Sequence, residues 1–340
     1  MARKLYSANN EFMFRIPTSE YIEIDKEEDY SKICRNKEFR EKIRVASPAL
    51  IEAADRYFID GEKLSEKKEK NLYSSLKKYY MRSIERTTPF GLFAGIGVGR
   101  FGKETIISDE NMSYVKSVNI DMGWLWEYIV ELEKKYSKEL SFKWNDACID
   151  DGNRNTLLYT TTQDIEEISV RRTQVLEIIE KKCQSFVEYK KIVAAVQEVY
   201  TDTSLEVIEE YVDNLIDNQI LKSELRPPIL HKNQLGWIIE KIKKVDTNIA
   251  EALIDLDNKC REYEGSKIGD GEELYSEIIE YMKGIHHSKY YIQVDTNVNG
   301  ADIQLEYDVK RNIEKLAENL VKLSSVSQKQ REYIDTEISL

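Results

Sequence analysis

At 340 residues, 41% of them apolar, the chain is long enough to bury a substantial core and to divide into two or three subdomains. No window approaches the roughly 18 to 20 apolar residues of a membrane span, and the start, MARKLYSANNEFMFRIP, lacks the run of about 7 to 15 apolar residues of a signal peptide, so a cytoplasmic protein is expected. The formal charge of -12 excludes a protein whose whole surface coats nucleic acid, because such domains carry a net positive footprint.

In chain order, NEFMFRIP (10–17) reads as a short strand ended by Pro17, and helices are expected over 48–58 and 65–86. The second helix is basic: from Gly61 to Gly91 eight lysines and arginines, among them Lys77, Lys78, Arg82 and Arg86, face only Glu62, Glu66, Glu69 and Glu85. Its end is marked by Thr88, which the following Pro89 pushes towards extended geometry, and by Gly91, which permits a turn. In LFAGIGVGRF a strand places Leu92, Ala94, Ile96 and Val98 on one face, and Phe93, Gly95, Gly97 and Gly99 on the other. SVNIDMGWLWEYIVELEKKYSKEL then gives a strand, Asp121 at a helix start, and an amphipathic helix with Trp124, Leu125, Tyr128, Ile129 and Leu132 at helical spacing.

Over 141–225 the expected elements are three short strands, SFKWNDACI, NTLLYTT and EEISV, with a turn at DDGNRN, followed by helices over 172–183, 185–200 and 204–218. That is the layout of a small winged-helix domain, and the two prolines of RPP close it. The last third, 226–340, reads as helices through GWIIEKI, NIAEALIDLDNKCREY and LYSEIIEYMKGI, a strand KYYIQVDTNV, and a final helix VKRNIEKLAENLVKLSSV. The fold class is therefore α+β, a mixed helical and β chain with an inserted winged-helix-like segment of three strands and three helices.

Cys34, Cys148, Cys183 and Cys260 stand singly, and the three histidines make no metal-ligand spacing with them, so neither a metal site nor a disulfide framework is expected. Gly97, Gly99 and Gly102 satisfy GxGxxG, but a dinucleotide site needs a phosphate-facing helix next, and KETIISDENM is strand and turn. The glycines read instead as a thin face packed against a bulky neighbour. Lys78, Arg82 and Arg86 are four residues apart and share one helix face, where like charges repel unless an anion lies between them. An arginine pair at an element end, with a threonine hydroxyl beside it, can clamp a carboxylate or a phosphate, so the residues by themselves specify an anion-handling site.

RSIERTTPFGLFAG resembles the signature R-x3-R-x-TPFG-x-FAG of the N-terminal, glutamylating region of class I lanthipeptide dehydratases, the LanB type of lantibiotic dehydratase. FMFRIPTSEY is similar to that family's opening strand, and NIDMGWL and IQVDTNV match the positions of two family aspartates. The resemblance implies a tRNA-dependent reaction: glutamate passes from glutamyl-tRNA, the co-substrate, to Ser and Thr side chains of a precursor peptide, and the ester is then eliminated. No bound cofactor is implied, because the aminoacyl ester is already activated. Carried over, the catalytic candidates are Arg82, Arg86, Thr88, Asp121, Asp295 and Arg15, with Lys77, Lys78, Arg82 and Arg86 facing the tRNA. Each has a plainer role beside it: a solvated basic face, a helix cap for Asp121, a strand end or solvent for Asp295, an edge-strand surface for Arg15.

On that reading 1–140 and 226–340 are parts of the glutamylation region, and 141–225 is the inserted domain that recognises the leader peptide by strand addition, with Ile168, Val170, Tyr211, Val212 and Leu215 as contacts. A DNA-binding winged helix is disfavoured because SLEVIEEYVDNLIDNQ is acidic where a recognition helix is basic. The implied partners are the precursor peptide, glutamyl-tRNA, the remaining dehydratase portion, a cyclase and a transporter, with a homo-oligomer in the full enzyme and a location in the cytoplasm or peripheral to the membrane. Family members are much longer than 340 residues, and the elimination residues find no match in this chain. A split-enzyme subunit, a non-catalytic leader-binding module, and a relative that ligates an amino acid from aminoacyl-tRNA to a peptide terminus stay open at this point.

Overall fold

The computed structural model describes residues 6–20, 28–88, 91–160 and 165–323. Along the chain come β1 (Glu11–Pro17), α1 (Glu28–Arg35), α2 (Lys37–Ala46), α3 (Pro48–Phe58), α4 (Glu66–Glu85), β2 (Ala94–Gly102), β3 (Ile106–Ser108) and β4 (Ser113–Ile120). These are followed by α5 (Met122–Tyr136), β5 (Ser141–Trp144), β6 (Ile149–Asp150), β7 (Arg154–Thr160), β8 (Ile165–Arg171), α6 (Gln174–Lys182), β9 (Val187–Glu188), α7 (Tyr189–Gln197), α8 (Leu205–Asp217) and β10 (Leu221–Ser223). The chain ends its described course with α9 (Gln234–Ile242), α10 (Thr247–Gly265), α11 (Glu272–Ile285), β11 (Ile292–Asn299), β12 (Asp302–Glu306) and α12 (Tyr307–Leu323).

Two compact units result. The first comprises residues 1–118, 264–273 and 294–340, the second residues 119–263 and 274–293. This division differs from cuts at 140/141 and 225/226. The 141–225 segment lies within the second unit, which also takes in α5 and most of α9 to α11.

In the first unit β2 is the spine of a six-stranded sheet. It pairs antiparallel with β1 along Glu11–Pro17, and on its other side it pairs parallel with β11 near Gly95 and with β12 near Phe101. The turn between β11 and β12 is made at Gly300, whose φ of +75° suits a residue without Cβ. The glycine row lies on the buried face. A Cβ at Gly97 would come within 2.8 Å of both Cε atoms of Phe14, and one at Gly99 within 2.5 Å of Phe12 Cζ. The bulky neighbours expected of a thin face are thus the two phenylalanines of β1, and the cleft a phosphate would need is filled.

Beside the sheet, α1 to α4 close a core of Tyr30, Ile33, Phe39, Ile43, Ile51, Leu72, Leu76, Tyr80 and Phe93. Leu72, Leu76, Tyr80 and Ser83 recur at helical spacing along α4 and are its buried stripe, which leaves the lysines outward. The helices α1 and α2 were not anticipated, because their charged sequence hides the apolar stripe. Many of those charges are matched: Arg40 donates to Asp55 (2.6 Å) and to Glu272 (2.9 Å), and buried Lys116 donates to buried Glu41 (2.8 Å). Glu41 also accepts from the amides of Gly269 and Gly271, which ties the 264–273 segment to α2.

In the second unit the strand expected over SFKWNDACI is two strands in two different sheets. β5 joins β10 and β9, whereas the two-residue β6 joins β7 and β8. Asn145 causes the break: its side chain accepts from Ala147 N (3.1 Å) and donates to Gln219 O (2.9 Å), so the chain turns there. The expected turn at DDGNRN is present, with Gly152 at φ +91° and Asp150 accepting from its amide. Helices α6, α7 and α8 follow at the expected places, with the two-residue β9 between α6 and α7 and β10 after α8, both pairing with β5.

Candidate functional site

Helix α4 ends one residue before Arg86, which is the cap residue in extended geometry (φ -103°, ψ 118°). Lys78, Arg82 and Arg86 therefore do not form one continuous helical face. Arg82 is in the last turn, and Arg86 begins the extended run that leads to Thr88. Pro89 and Phe90 lie outside the described residues. Arg82 is half-buried with its guanidinium 5.0 Å from the centroid of the Phe93 ring, and Phe93 is itself buried in the helical core. Its Nε has no contact with solvent and no hydrogen-bond partner among the described residues. Arg86, Thr88, Lys77 and Lys78 are exposed, and the described residues offer the three cations no ion pair. A guanidinium held on a ring face, with exposed cations on the same helix end that have no acidic partner among the described residues, is an arrangement that can take up an anion.

The strand after the motif is gripped on both sides. Gly91, at φ +77°, donates its amide to Val294 O (2.8 Å) and accepts from Thr296 Oγ1 (3.0 Å), so the motif is clasped to β11 on either side of Asp295. On the opposite edge Thr18 donates its amide to Phe93 O (3.0 Å) and its hydroxyl to Leu92 O (2.5 Å). Lys42, reaching in from α2, donates to Thr18 O (3.2 Å) and Ser19 Oγ (2.8 Å). Burial pushes the Lys42 ammonium down to about 8, against the pull of Glu38.

Register places the remaining candidates of this unit. Arg15 pairs with Ile96, and Asn297 pairs with Ile96 from the other side. Alternation then puts Asp295, like Asn297, on the Ile96 face and the buried Val294 and Thr296 on the glycine face. Arg15 and Asp295 thus share the sheet face opposite the glycines, on strands separated by β2, about 10 Å at two strand spacings. Asp295 sits within β11 rather than at its end and is half-buried, so neither a strand-end nor a solvent role describes it. Arg15 is exposed.

Asp121 belongs to the second unit. It caps α5, accepting from Gly123 N (2.8 Å), and donates its amide to Tyr291 O (2.8 Å). In the same unit, β8 is an outer strand of the order β6-β7-β8, so one of its edges has no strand partner among the described residues. Ile168 and Val170 are half-buried and pair with the buried Leu157 and Asn155, hence face the same side as these. Asn155 Nδ2 is buried and has no hydrogen-bond partner among the described residues. On α8, Tyr211 is half-buried, while Val212 (0% exposed) and Leu215 (3%) pack the helical core.

Three elements of this arrangement were not read from the sequence: the Phe93 platform, the Lys42–Thr18 brace and the orphaned Asn155 amide. Only Phe93 carried a local signal, through its alternation with the glycines. Burial raises Cys34 and Cys183 to about 12 and Cys148 to about 11, which keeps these three thiols protonated.

The sequence profile described as "Lantibiotic dehydratase, N terminus" matches residues 35–335. The subtilin biosynthesis protein SpaB of Bacillus subtilis is 32% identical over 332 residues, covering 96% of this chain and 32% of that protein. The nisin biosynthesis protein NisB of Lactococcus lactis subsp. lactis is 31% identical, covering 85% and 29%. The crystal structure of the tRNA-dependent lantibiotic dehydratase MibB from Microbispora sp. 107891 has the same fold, with a TM-score of 0.79 at 21% identity over 97% of this chain and 33% of that one. The glutamylation domain TbtB from thiomuracin biosynthesis is a more distant fold relative, at a TM-score of 0.57 and 11% identity over 82% of this chain and 34% of that one. The chain thus spans about a third of the length of the relatives it matches, and with the profile covering most of its residues it belongs to the lantibiotic dehydratase family, as an N-terminal region.

Proposed function

We propose that this region takes glutamate from glutamyl-tRNA and places it on Ser or Thr side chains of a ribosomally made precursor peptide. The observation that carries the reading is Arg82, stacked on Phe93 with a buried Nε that has no hydrogen-bond partner among the described residues, beside Arg86, Lys77 and Lys78, for which the described residues offer no acidic partner. Phosphates of the tRNA 3′ end and the glutamyl carboxylate are the anions of that reaction, and a planar guanidinium matches either. In the transfer the peptide hydroxyl oxygen attacks the aminoacyl ester carbonyl, the bond to the terminal ribose oxygen breaks, and the hydroxyl proton ends on that ribose oxygen. One ester replaces another, so no further activation is required. Asp295 holds the α-ammonium of the donor or orients the acceptor hydroxyl, Thr88 adds a hydroxyl at the end of the cationic edge, and Arg15 completes the charged rim; for Asp121, in the second unit, the same two roles are carried over from its motif alone. The later elimination, which removes a Cα proton and breaks the Cβ–O bond to release glutamate, draws on residues outside those assigned here.

The leader peptide is held in the 141–225 segment by addition to the free edge of β8, with Ile168, Val170 and Tyr211 in contact and Val212 and Leu215 shaping the support beneath. The test is incubation with precursor peptide, tRNA, glutamate and glutamyl-tRNA synthetase, with and without the downstream dehydratase portion, read by mass spectrometry. A glutamyl increment located on Ser or Thr by fragmentation is expected. An increment at a peptide terminus makes the chain a ligase. Leader binding with no increment under either condition makes it a binding module and sinks the transferase reading.

A further inference from the structure

The outer edge of β8 has no strand beside it among the described residues, yet it is not bare. Which of its backbone groups face outwards follows from the bonds on its other side. Arg172 donates its amide to Asn153 O (2.8 Å), so in the β7–β8 register the hydrogen-bonded pairs continue at Asn155–Val170 and Leu157–Ile168. The intervening pairs, Arg154–Arg171, Thr156–Ser169 and Leu158–Glu167, turn the amides and carbonyls of their β8 members away from β7. Glu167, Ser169 and Arg171 therefore hold the donors and acceptors that an added strand needs, with Ser169 in the middle. The Ser169 carbonyl is already taken. Arg154, reaching diagonally from β7 over β8, donates Nη2 to Ser169 O (2.7 Å) and Nε to Ser169 Oγ (2.6 Å), and Thr156 Oγ1 lies 3.3 Å from the same hydroxyl.

We propose that Arg154 is a removable cap on this edge, which must release Ser169 O before a peptide strand can pair along β8, and which thereby sets how strongly a strand must bind to be admitted. The proposal rests on the reading that the leader peptide adds to β8 as a strand. An open edge templates pairing with any extended segment, β8 of a second copy included, and a charged side chain laid over it holds weak partners off. The cap is also free to leave. Arg154 is exposed and already lines an open cavity of about 470 Å³ with Arg171, Arg172 and Glu177. The charge of Arg172 is met there by Asp150, Glu177 and Glu180, so the displaced guanidinium enters a polar space that is not wholly cationic. Because the capped form exists only in the unliganded chain, the cap slows association and leaves dissociation alone.

Stopped-flow binding of a fluorescein-labelled leader peptide to the whole chain tests this, with Arg154→Met compared against Arg171→Met. Each variant removes one cation from the same end of β7–β8, so steering by charge is common to both, but only the first removes the cap. Arg154→Met is expected to associate about threefold to tenfold faster than Arg171→Met, the range that one net hydrogen bond supplies, with the wild-type dissociation rate. Ser169→Ala deletes the hydroxyl that anchors Nε and keeps the carbonyl, so its association rate should fall between wild type and Arg154→Met; it carries the test alone if Arg154→Met does not fold. Equal association rates in the two arginine variants, or an unchanged rate in Ser169→Ala, overturn the proposal. Faster dissociation from Arg154→Met also overturns it, since the side chain would then be a leader contact. Amide hydrogen exchange over 165–171 separates this from the reading beneath it. Slowed exchange there on leader binding with unchanged kinetics removes the cap alone, whereas a leader that binds without slowing it removes strand addition and the cap together.

Discussion

In the proposed transfer site the greatest weight falls on Arg82. Its ring contact with Phe93 is worth about 0.5–1 kcal/mol at a partly exposed position, too little to explain an arginine there by stability. Arg82→Lys keeps the charge and loses the planar fork, so glutamylation should fall on the order of a hundredfold while the urea midpoint barely moves. A lysine variant with full activity would reduce Arg82 to a packing residue. Lys42 makes a prediction of another kind. Its folded-state value is lowered from 10.5 to about 8 by burial, so between those values the unfolded chain holds a proton that the native chain has released, and stability from this group rises with pH across that window. Below about pH 8 both states are charged and the native state carries the burial penalty. Chemical denaturation of wild type and Lys42→Met from pH 7 to 11 should show the wild type gaining roughly 3 kcal/mol on the variant, about 2.5 units at 1.36 kcal/mol each. A pH-independent difference would mean that Lys42 keeps an ordinary value.

At the scale of elements, β2 was the most legible feature because its period of two is written directly into AGIGVG, and the structure supplies the phenylalanines that such a strand requires. Gly97→Ala should destabilise by about 1–3 kcal/mol because its Cβ meets Phe14, and Phe14→Leu in the same chain should recover part of that loss, which a double-mutant cycle by urea denaturation measures. Additive effects would show that the ring moves aside without cost. Gly91 differs: nothing lies within 4 Å of its Cβ position, and only its φ of +77° demands glycine. Where the sequence misled, a local pattern was outvoted. The stripe of α1 and α2 is thinned by charges whose partners, such as Glu272 for Arg40, are more than 200 residues away. A single Asx turn at Asn145 divides what reads as one strand. The motif residues Arg82, Arg86 and Thr88 were legible as a run, but that Arg15 and Asp295 share a face follows only from the pairing of β1 and of β11 with β2, which lies between them.

For the molecule as a whole, two units divide the candidate roles, the glutamyl-handling residues lying mostly in the first and the leader-binding edge in the second. Leader affinity should therefore be separable from transfer. The edge of β8 supplies backbone amides and carbonyls for an added strand, and the side shared with Leu157 supplies apolar contacts through Ile168 and Val170. Helix α8 carries Glu206, Glu209, Glu210, Asp213 and Asp217 and no basic residue, which suits a peptide and repels a phosphate backbone. Ile168→Arg should weaken binding of a fluorescent leader peptide at least tenfold, the loss of about 1.4 kcal/mol expected when one apolar contact is replaced by a charge, and should leave transfer to a leader-fused substrate at saturating concentration nearly unchanged. Val212→Ala, at a fully buried position, should do the opposite, lowering the urea midpoint through its cavity while the folded protein keeps its leader affinity. Affinity that tracks Val212→Ala as closely as Ile168→Arg, with both proteins folded, would place the leader against α8 rather than along the β8 edge.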